Sequence, residues 1–515
     1  MSSRNVILAG LNRGTVRMRP YQIEHCIRLV QIIESYRGYL DTSNTGSGKT
    51  WSTIAVAMYY NSPILVIGPK GSSGVWNYAV SETGVEMVDF ITKDALRSRR
   101  GHQPKHGYLD RDDTGKKTVF TVTKKFMDFV AKGGFVVIDE CQSVRNSSSD
   151  QHKAAKALLS YLVGQHGRSR FALLSATPLN TIAQIVNLMR LVGYINKPKL
   201  FRRNRSGSVR IEGEGLEELF NACADMDAEK TQEIKRSVKC YNTRTSKETV
   251  HQLFRDVIKY HISSAVVPPK IAIHVDRKNG YYNADDKTQK AFMESLEDMK
   301  LATRYQRSTK TEDRKLVRSN IITQRRKTEL IKASVFARIA KEQLLKDPTC
   351  KVIVGVHYLD TLEVLKKSLS DFKPIVLQGS VKGKDPETGE DKRDKLIRCF
   401  QTDPKSRLIL AIVKVIAESI SLHDTIGDSP RFTFLSPSYE LLLMHQACGR
   451  TVRDGDNTKS DVTIRFVYLK DGELEAEIYA ALARKSQKLK DCLIRGEDVV
   501  LPNDFEMYRE TAGKV

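Results

Sequence analysis

A lysine and a threonine that close a glycine-rich run, TSNTGSGKT at 42–50, carry the strongest chemical signal in the chain. The run follows the apolar-leaning GYLD and precedes WSTIAVAMYY, which predicts strand, turn and helix in succession. A turn in that setting directs backbone N–H groups inward and, with the dipole of the following helix, cradles phosphates. Lys49 then reaches the β- and γ-phosphates of a nucleotide and Thr50 holds Mg2+. Ser43 stands where such turns usually carry Ala or Gly, and it is small enough for the same turn. VVIDECQ (136–142) supplies matching carboxylates. An apolar strand that delivers Asp139 and Glu140 at its carboxyl end is what a Mg2+–nucleotide site needs. Asp139 would contact the metal through water, and Glu140 would orient and deprotonate the attacking water. A third strand end, LLSATPLN (173–180), carries Ser175 and Thr177, whose short hydroxyls can hydrogen-bond the acidic loop. A fourth stretch, HQACGRTVRDG (445–455), sets Arg450 and Arg453 one helical turn apart, with Asp454 as the nearest carboxylate. Taken alone it is either an anion-binding pair or a solvated helix face.

These residues need a scaffold, and the apolar pattern provides one. Short β-branched runs recur: ILVIG (64–68), FVVID (135–139) and FALLSAT (171–177) early in the chain. Late in the chain come KVIVGV (351–356), PIVLQGS (374–380), LILAIV (408–413), RFTFLSPS (431–438) and TIRFVYL (463–469). Amphipathic segments such as LDTLEVLKKSL (359–369) lie between them. Apolar strands alternating with helices predict parallel sheets covered on both faces. Two such blocks predict two α/β lobes, at 1–200 and 346–475. Residues 201–345 are charged and mainly helical in pattern, and 476–515 are expected as a short helical extension. From Lys300 to Lys346 there are 14 Lys and Arg against 4 Asp and Glu, a net +10. That segment is either a nucleic-acid-facing element or a solvated helix. A second basic stretch, Lys93–Lys125 with RSRRGHQPKHG, reads as a loop insertion in the first lobe.

Bulk composition narrows the class. At 515 residues the chain exceeds one ordinary core and predicts two to four domains. Its 84 Lys and Arg against 61 Asp and Glu point to a polyanionic partner, nucleic acid before membrane. Eight cysteines include no CxxC pair, which argues against zinc and against a disulfide framework and suits a reducing compartment. MSSRNVILAGLNRG lacks the apolar core of a signal peptide, and no apolar run approaches bilayer-spanning length. The expectation is a soluble intracellular protein with no membrane partner.

MRPYQ (18–22), SNTGSGKT, ILVIGPKGSSGVW (64–76), DECQ, SATPLN, IAESISLHD (416–424) and QACGRTVR (446–453) follow in one order. Order and spacing resemble superfamily 2 helicases and translocases over about 20–470. The set is most similar to Swi/Snf-like ATPases and to related helicases of large DNA viruses and phages. The resemblance implies two tandem RecA-like lobes, ATP and Mg2+ as cofactors, and coupling of ATP hydrolysis to movement on nucleic acid, DNA in preference to RNA. It implies that Tyr21 and Gln22 meet the adenine, and that Thr45, Gly46, Ser47, Gly48, Lys49 and Thr50 hold the phosphates. Pro69, Lys70, Thr121 and Thr123 would lie along a nucleic-acid strand. Gln142, Ser175 and Thr177 would couple that strand to the ATP site, with Ser421, His423 and Asp424 facing both. Gln446, Arg450 and Arg453 would complete the ATP site from the second lobe. Arg325, Arg326 and Lys327 are assigned to the nucleic-acid backbone. A transcription or replication assembly is an expected further partner; a viral source would place the protein in the virion or at a replication site in host cytoplasm or nucleus.

Departures from the pattern limit the subgroup. DECQ is neither DEAD nor DEAH, Ala417 and Glu418 replace the usual glycines, and no PTRELA-like element is present. Two alternatives remain: an ATP-gated binding module without motor activity, and the motor subunit of a restriction-type complex. The complete Lys49, Glu140 and Arg453 set argues against the first, and the flanks carry no nuclease-like constellation for the second. A second α/β lobe argues against a simple P-loop kinase.

Overall fold

The computed structural model describes residues 18–510 apart from 116, 165–168, 180, 204–208, 211–212, 268–271, 296, 298–312, 380–391, 418–419, 454–457 and 471–472. Side chains at 203, 209–210, 313–321 and 473–477 are likewise outside the description. Glu418, Asp454 and the 298–312 part of the basic segment therefore fall outside it. The chain forms two units, Met1–Pro269 with Gln487–Val499, and Lys270–Ser486 with Val500–Val515.

In the first unit the strands are β1 (Gly38–Asp41), β2 (Ile64–Gly68), β3 (Met87–Thr92), β4 (Leu109–Asp112), β5 (Val119–Val122), β6 (Phe135–Asp139), β7 (Arg170–Leu174), β8 (Arg202–Arg203), β9 (Val209–Arg210) and β10 (Ser263–Ser264). Six of them make an all-parallel sheet ordered β10-β1-β7-β6-β2-β3. Alternate residues of each strand enter different cores, which explains the unbroken apolar runs. Ile64, Val66, Phe135, Val137, Ala172 and Leu174 pack with helices Pro20–Tyr36, Lys49–Tyr60 and Ser73–Thr83. Leu65, Ile67, Val136, Ile138, Phe171 and Leu173 pack on the other face with Asp150–Gly164, Ile182–Leu191, Gly215–Met226 and Thr243–Leu253. A strand buried on both faces has no polar side to show.

The stretch expected as a loop insertion is instead built structure. Helix Lys93–Arg97 leads to an antiparallel hairpin of β4 and β5. Tyr108, Leu109, Phe120 and Phe126, spaced among the cations, supply a local core. Buried Arg111 ties the hairpin down, its guanidinium donating to Asp113 at 2.7 Å and to Asp150 at 2.9 Å.

The second unit holds β11 (Val275–Tyr282), β12 (Lys351–Val356), β13 (Ile375–Leu377), β14 (Leu408–Ile412), β15 (Arg431–Leu435), β16 (Val462–Leu469) and β17 (Glu506–Arg509). They form a parallel sheet ordered β13-β14-β12-β15-β16-β11-β17. The expected α/β class with two parallel sheets is the class the chain adopts. Five of these strands are the predicted runs. β11, with sequence VDRKNGYY, has no apolar run, yet pairs with β16 over eight residues. Its buried Asn279 Nδ2 donates to Pro502 and Phe505 carbonyls, each at 3.1 Å, so the amide nitrogen is satisfied, while Oδ1 is buried with no partner among the described residues. The tail is helical to Cys492 and then returns β17 beside β11.

Candidate nucleotide-hydrolysis site

The order β1-β7-β6 sets three strand ends side by side, and their next residues are the chemical ones. After β1 the chain turns through Gly46 (φ 90°) and Gly48 (φ 89°) before helix Lys49–Tyr60 begins. The position of Gly48 strongly favours glycine: its backbone is left-handed, and a Cβ there would lie 2.3 Å from Gln22 Nε2 and force that amide off the loop. Ser47 Oγ donates to the Asn44 carbonyl at 2.7 Å, while Thr45, Gly46 and Thr50 are half-buried around the turn. Lys49 Nζ lies across the turn, donating to Ser43 and Asn44 carbonyls at 2.8 and 3.0 Å. Gln22 is buried against the loop, its amide donating to Ser47 and Gly48 carbonyls at 3.3 and 3.4 Å. Tyr21 is half-buried and its hydroxyl accepts from Arg19 at 3.4 Å.

A polar set that sequence reasoning missed fixes the start of this loop. Asp41 Oδ1 accepts the Ser43 N–H at 2.9 Å, and Oδ2 is 3.0 Å from His25 Nε2. His25 Nδ1 meets Ser264 Oγ at 2.9 Å. Thr42 N–H donates to the Ser264 carbonyl, and Val266 N–H to Ser43 Oγ. Burial raises the Asp41 carboxyl, but His25, Lys49 and the Ser43 bond together hold it below the usual carboxylate range. Its charge anchors the loop without facing solvent.

At the end of β6, burial and then the neighbouring Glu140 charge raise Asp139 above the ordinary carboxylate pKa. Trp76, fully buried, donates its indole N–H to Asp139 Oδ2 at 3.1 Å and orients it. Trp76 lies within the quoted ILVIGPKGSSGVW run, but its type gave no hint of this role. Glu140 adopts φ 52°, ψ 55°, a left-handed conformation uncommon for a side-chain-bearing residue. A relay starts there: Gln142 Nε2 donates to Glu140 Oε2 at 2.6 Å, and Ser175 Oγ to Gln142 Oε1 at 2.7 Å. Thr177 N–H then donates to Ser175 Oγ at 3.0 Å. Thr177 Oγ1 is buried with no partner among the described residues. Lys49, Thr50, Asp139 and Glu140 thus form a donor set of the right chemistry for a Mg2+–nucleotide.

In the second unit the arginine pair does not share a helical face. Helix Leu441–Thr451 ends before Val452, which is extended at φ −135°, ψ 134°. Arg450 is buried, with Nε donating to the Ala417 carbonyl at 3.0 Å. Arg453 is half-buried, with Nη2 donating to Ser421 Oγ at 3.0 Å and its N–H to Thr458 Oγ1 at 2.8 Å. Gln446 is half-buried on the helix. Asp424, fully buried, accepts N–H bonds from Ile426, Gly427 and Ser429 and a hydroxyl bond from Ser460, and so shapes its own loop. His423 is buried beside it; burial, then Arg453 and Arg431, lower its pKa to about 4.

The expected nucleic-acid residues are scattered. Lys70 is exposed just beyond β2, with Pro69 half-buried before it, and Thr121 is exposed on β5. Thr123 caps helix Lys124–Ala131, accepting the Phe126 N–H, and donates to the Gly107 carbonyl at 2.6 Å. On helix Asp313–Ile331, Arg325 lies over the Tyr439 ring, Arg326 pairs with Asp360 and Lys327 is exposed. That helix is no uniform basic face, since its Glu329 is buried and accepts the N–H groups of His357 and Tyr358.

No family model matches the chain. Two proteins of Acanthamoeba polyphaga mimivirus, both named ATP-dependent RNA helicase, are similar to it. One is 22% identical over 496 residues, covering 92% of this chain and 83% of its own length. The other is 25% identical over 170 residues, 32% of each. Among solved structures, the Sulfolobus solfataricus SWI2/SNF2 ATPase core in complex with dsDNA aligns over 93% of this chain and 98% of its own, at 16% identity and a TM-score of 0.30. The core domain alone aligns over 90% and 88%, at 17% and 0.30. The similarity to a helicase-named protein runs nearly the full length, beyond the motifs. The resemblance to superfamily 2 ATPases of the helicase and translocase kind therefore holds. Among the described residues, no helix is long and apolar enough to cross a membrane.

Proposed function

We propose that the chain is a nucleic-acid-dependent ATPase motor of the superfamily 2 kind, acting on DNA in preference to RNA. The observation that carries this reading is the unbroken relay Glu140–Gln142–Ser175–Thr177. A hydrolytic carboxylate needs no such relay to cleave ATP, whereas a motor needs its hydrolysis to respond to the strand it grips. Bound Mg2+ would polarise the phosphates and balance their developing charge. Thr50 and Asp139 would hold it, Lys49 would meet the phosphate oxygens, and Glu140 would take the proton of the attacking water. Trp76 keeps Asp139 aimed, and Asp41 with His25 keeps the loop in register. Gln446, Arg450 and Arg453 keep the hydrolytic role that the motif resemblance gives them, and Ser421 and His423 their coupling role, all tested by substitution.

The DNA preference rests on the Swi/Snf-like RPYQ, PKGSSGVW and SATPLN segments and on the lack of a PTRELA-like element. The mimivirus names specify RNA, so the test carries both. ATPase rates with duplex DNA, single-stranded DNA and RNA, with Glu140→Gln as the dead control, decide it. Duplex DNA is expected to stimulate most; strong activation by RNA would overturn the preference, and no activation by any of them would overturn the motor reading.

A further inference from the structure

Between helix Lys93–Arg97 and the β4–β5 hairpin lies a cavity of about 450 Å3. Arg97, Arg99, Arg100, Arg111, Lys117 and Lys153 line it against only Asp113 and Asp150, a net +4. Both acids are already engaged: Asp113 by Arg111 and the Gly101 N–H, Asp150 by Arg111 and Lys153. The side chains of Arg99, Arg100 and Lys117 are exposed and make no hydrogen bond or ion pair among the described residues. Arg97 Nη2 donates to Asp94 at 3.0 Å, while its Nε is buried with no acceptor among the described residues. Like charges gathered this closely repel unless an anion joins them.

The walls are built rather than loose. Arg111 is buried and donates to the Arg97 carbonyl at 2.7 Å, while Gln103 exchanges two hydrogen bonds with the Arg111 backbone at 2.7 and 2.8 Å. Gly101 N–H donates to Asp113 at 2.8 Å, latching the arginine-bearing loop to the hairpin. Free cations are thus presented from a fixed frame, so little ordering entropy is lost on binding.

We propose that this cavity is a phosphate site that grips the backbone of the nucleic acid, using residues outside every motif named above. It rests on the motor reading. The oxyanion could come from a nucleic-acid strand or from a free phosphate; the +4 lining and three outward cations suit a run of phosphates better than one ion. The test is binding of labelled duplex DNA, single-stranded DNA and RNA over a salt series, with inorganic pyrophosphate as a separate thermal-shift titration. A triple variant carries Arg99→Gln, Arg100→Gln and Lys117→Gln, all exposed, so its melting temperature is expected to match the wild type. A control variant removes the same charge at Lys366, Lys367 and Lys373, also exposed. The salt slope of the triple variant should fall by about 2–3 at roughly 0.7–0.9 per phosphate, and that of the control should not. Equal slopes for the triple variant and wild type, with the pyrophosphate shift also unchanged, would overturn the site while leaving the motor intact. Loss of the pyrophosphate shift with an unchanged slope would overturn the nucleic-acid source in favour of a free anion. A wild type that binds none of the three nucleic acids would overturn both this site and the motor reading.

Discussion

Glu140 is held in a left-handed conformation whose cost, about 1–3 kcal/mol, must be met by its surroundings. The Gln142 bond to its carboxylate is the visible restraint, and it makes the base and the relay one unit. Glu140→Gln keeps the shape but cannot accept a proton, so single-turnover hydrolysis should fall on the order of 10²–10⁴ with ATP binding retained. Ser175→Ala breaks the relay one bond further on; the nucleic-acid-stimulated rate should drop much more than the unstimulated one, and equal losses would remove Ser175 from coupling. His423 gives a pH prediction. Its pKa lies near 4 when folded, against an ordinary 6.5, so the unfolded chain takes up a proton between those values that the folded chain refuses. Stability is full above pH 6.5 and declines as pH falls toward 4, by about 3 kcal/mol for this group alone. Denaturation curves of wild type and His423→Asn from pH 7.5 to 4.5 check it, the variant being flatter. Lys49, Thr50, Asp139 and Glu140 were legible because each belongs to a contiguous run whose spacing is itself the chemistry. The His25–Asp41–Ser264 anchor was not, because its members are separated by 16 and 239 positions and meet only through the pairing of β1 with β10.

Elements were legible where burial on both faces forces a continuous apolar run, as in β2, β6, β12 and β14. β11 escaped because its exposure alternates little and its buried Asn279 amide nitrogen donates to backbone from the far tail, a partner no local pattern reveals. The hairpin of β4 and β5 escaped because its stretch, Lys93–Lys125, carries ten Lys and Arg that mask the scattered apolar residues. Helix ends were the other blind spot. Arg450 and Arg453 have helical spacing, but the helix stops at Thr451, so they share no helical face; Arg450 donates to the Ala417 carbonyl and Arg453 to Ser421. Thr123 shows the same effect at a helix start, where a side chain expected on a strand of nucleic acid is engaged as a cap. Thr123→Ala should therefore destabilise the protein by about 1 kcal/mol, with Thr123→Ser near neutral, by urea denaturation. Thr121→Ala, on the exposed face of β5, should leave stability alone and weaken nucleic-acid binding. An unchanged midpoint for Thr123→Ala would return that residue to the nucleic-acid surface.

At the scale of the whole chain, the groups assigned to hold ATP, with the base Glu140 beside them, fall in one unit, and the side chains assigned to turnover alone fall in the other. Lys49, Thr50, Asp139 and Glu140 belong to the first, Gln446, Arg450 and Arg453 to the second. If the first unit holds ATP and the second contributes only to the transition state, substitution should separate affinity from rate. Arg453 is the sharper probe of the pair, being half-buried with Nη2 on the Ser421 hydroxyl, where Arg450 is buried and braces the Ala417 carbonyl. Arg450→Ala would therefore lose stability along with activity, and its kinetics would not be interpretable alone. Arg453→Ala is expected to leave the ATP dissociation constant within a few-fold of wild type while lowering kcat by about 10³, some 4 kcal/mol of transition-state stabilisation. Equilibrium binding of a fluorescent ATP analogue and stimulated ATPase on the same preparation separate the two terms. Arg453→Lys should recover little, because a point charge lacks the planar fork that meets two phosphoryl oxygens at once. A near-normal kcat in Arg453→Ala would remove Arg453 from the hydrolytic machinery.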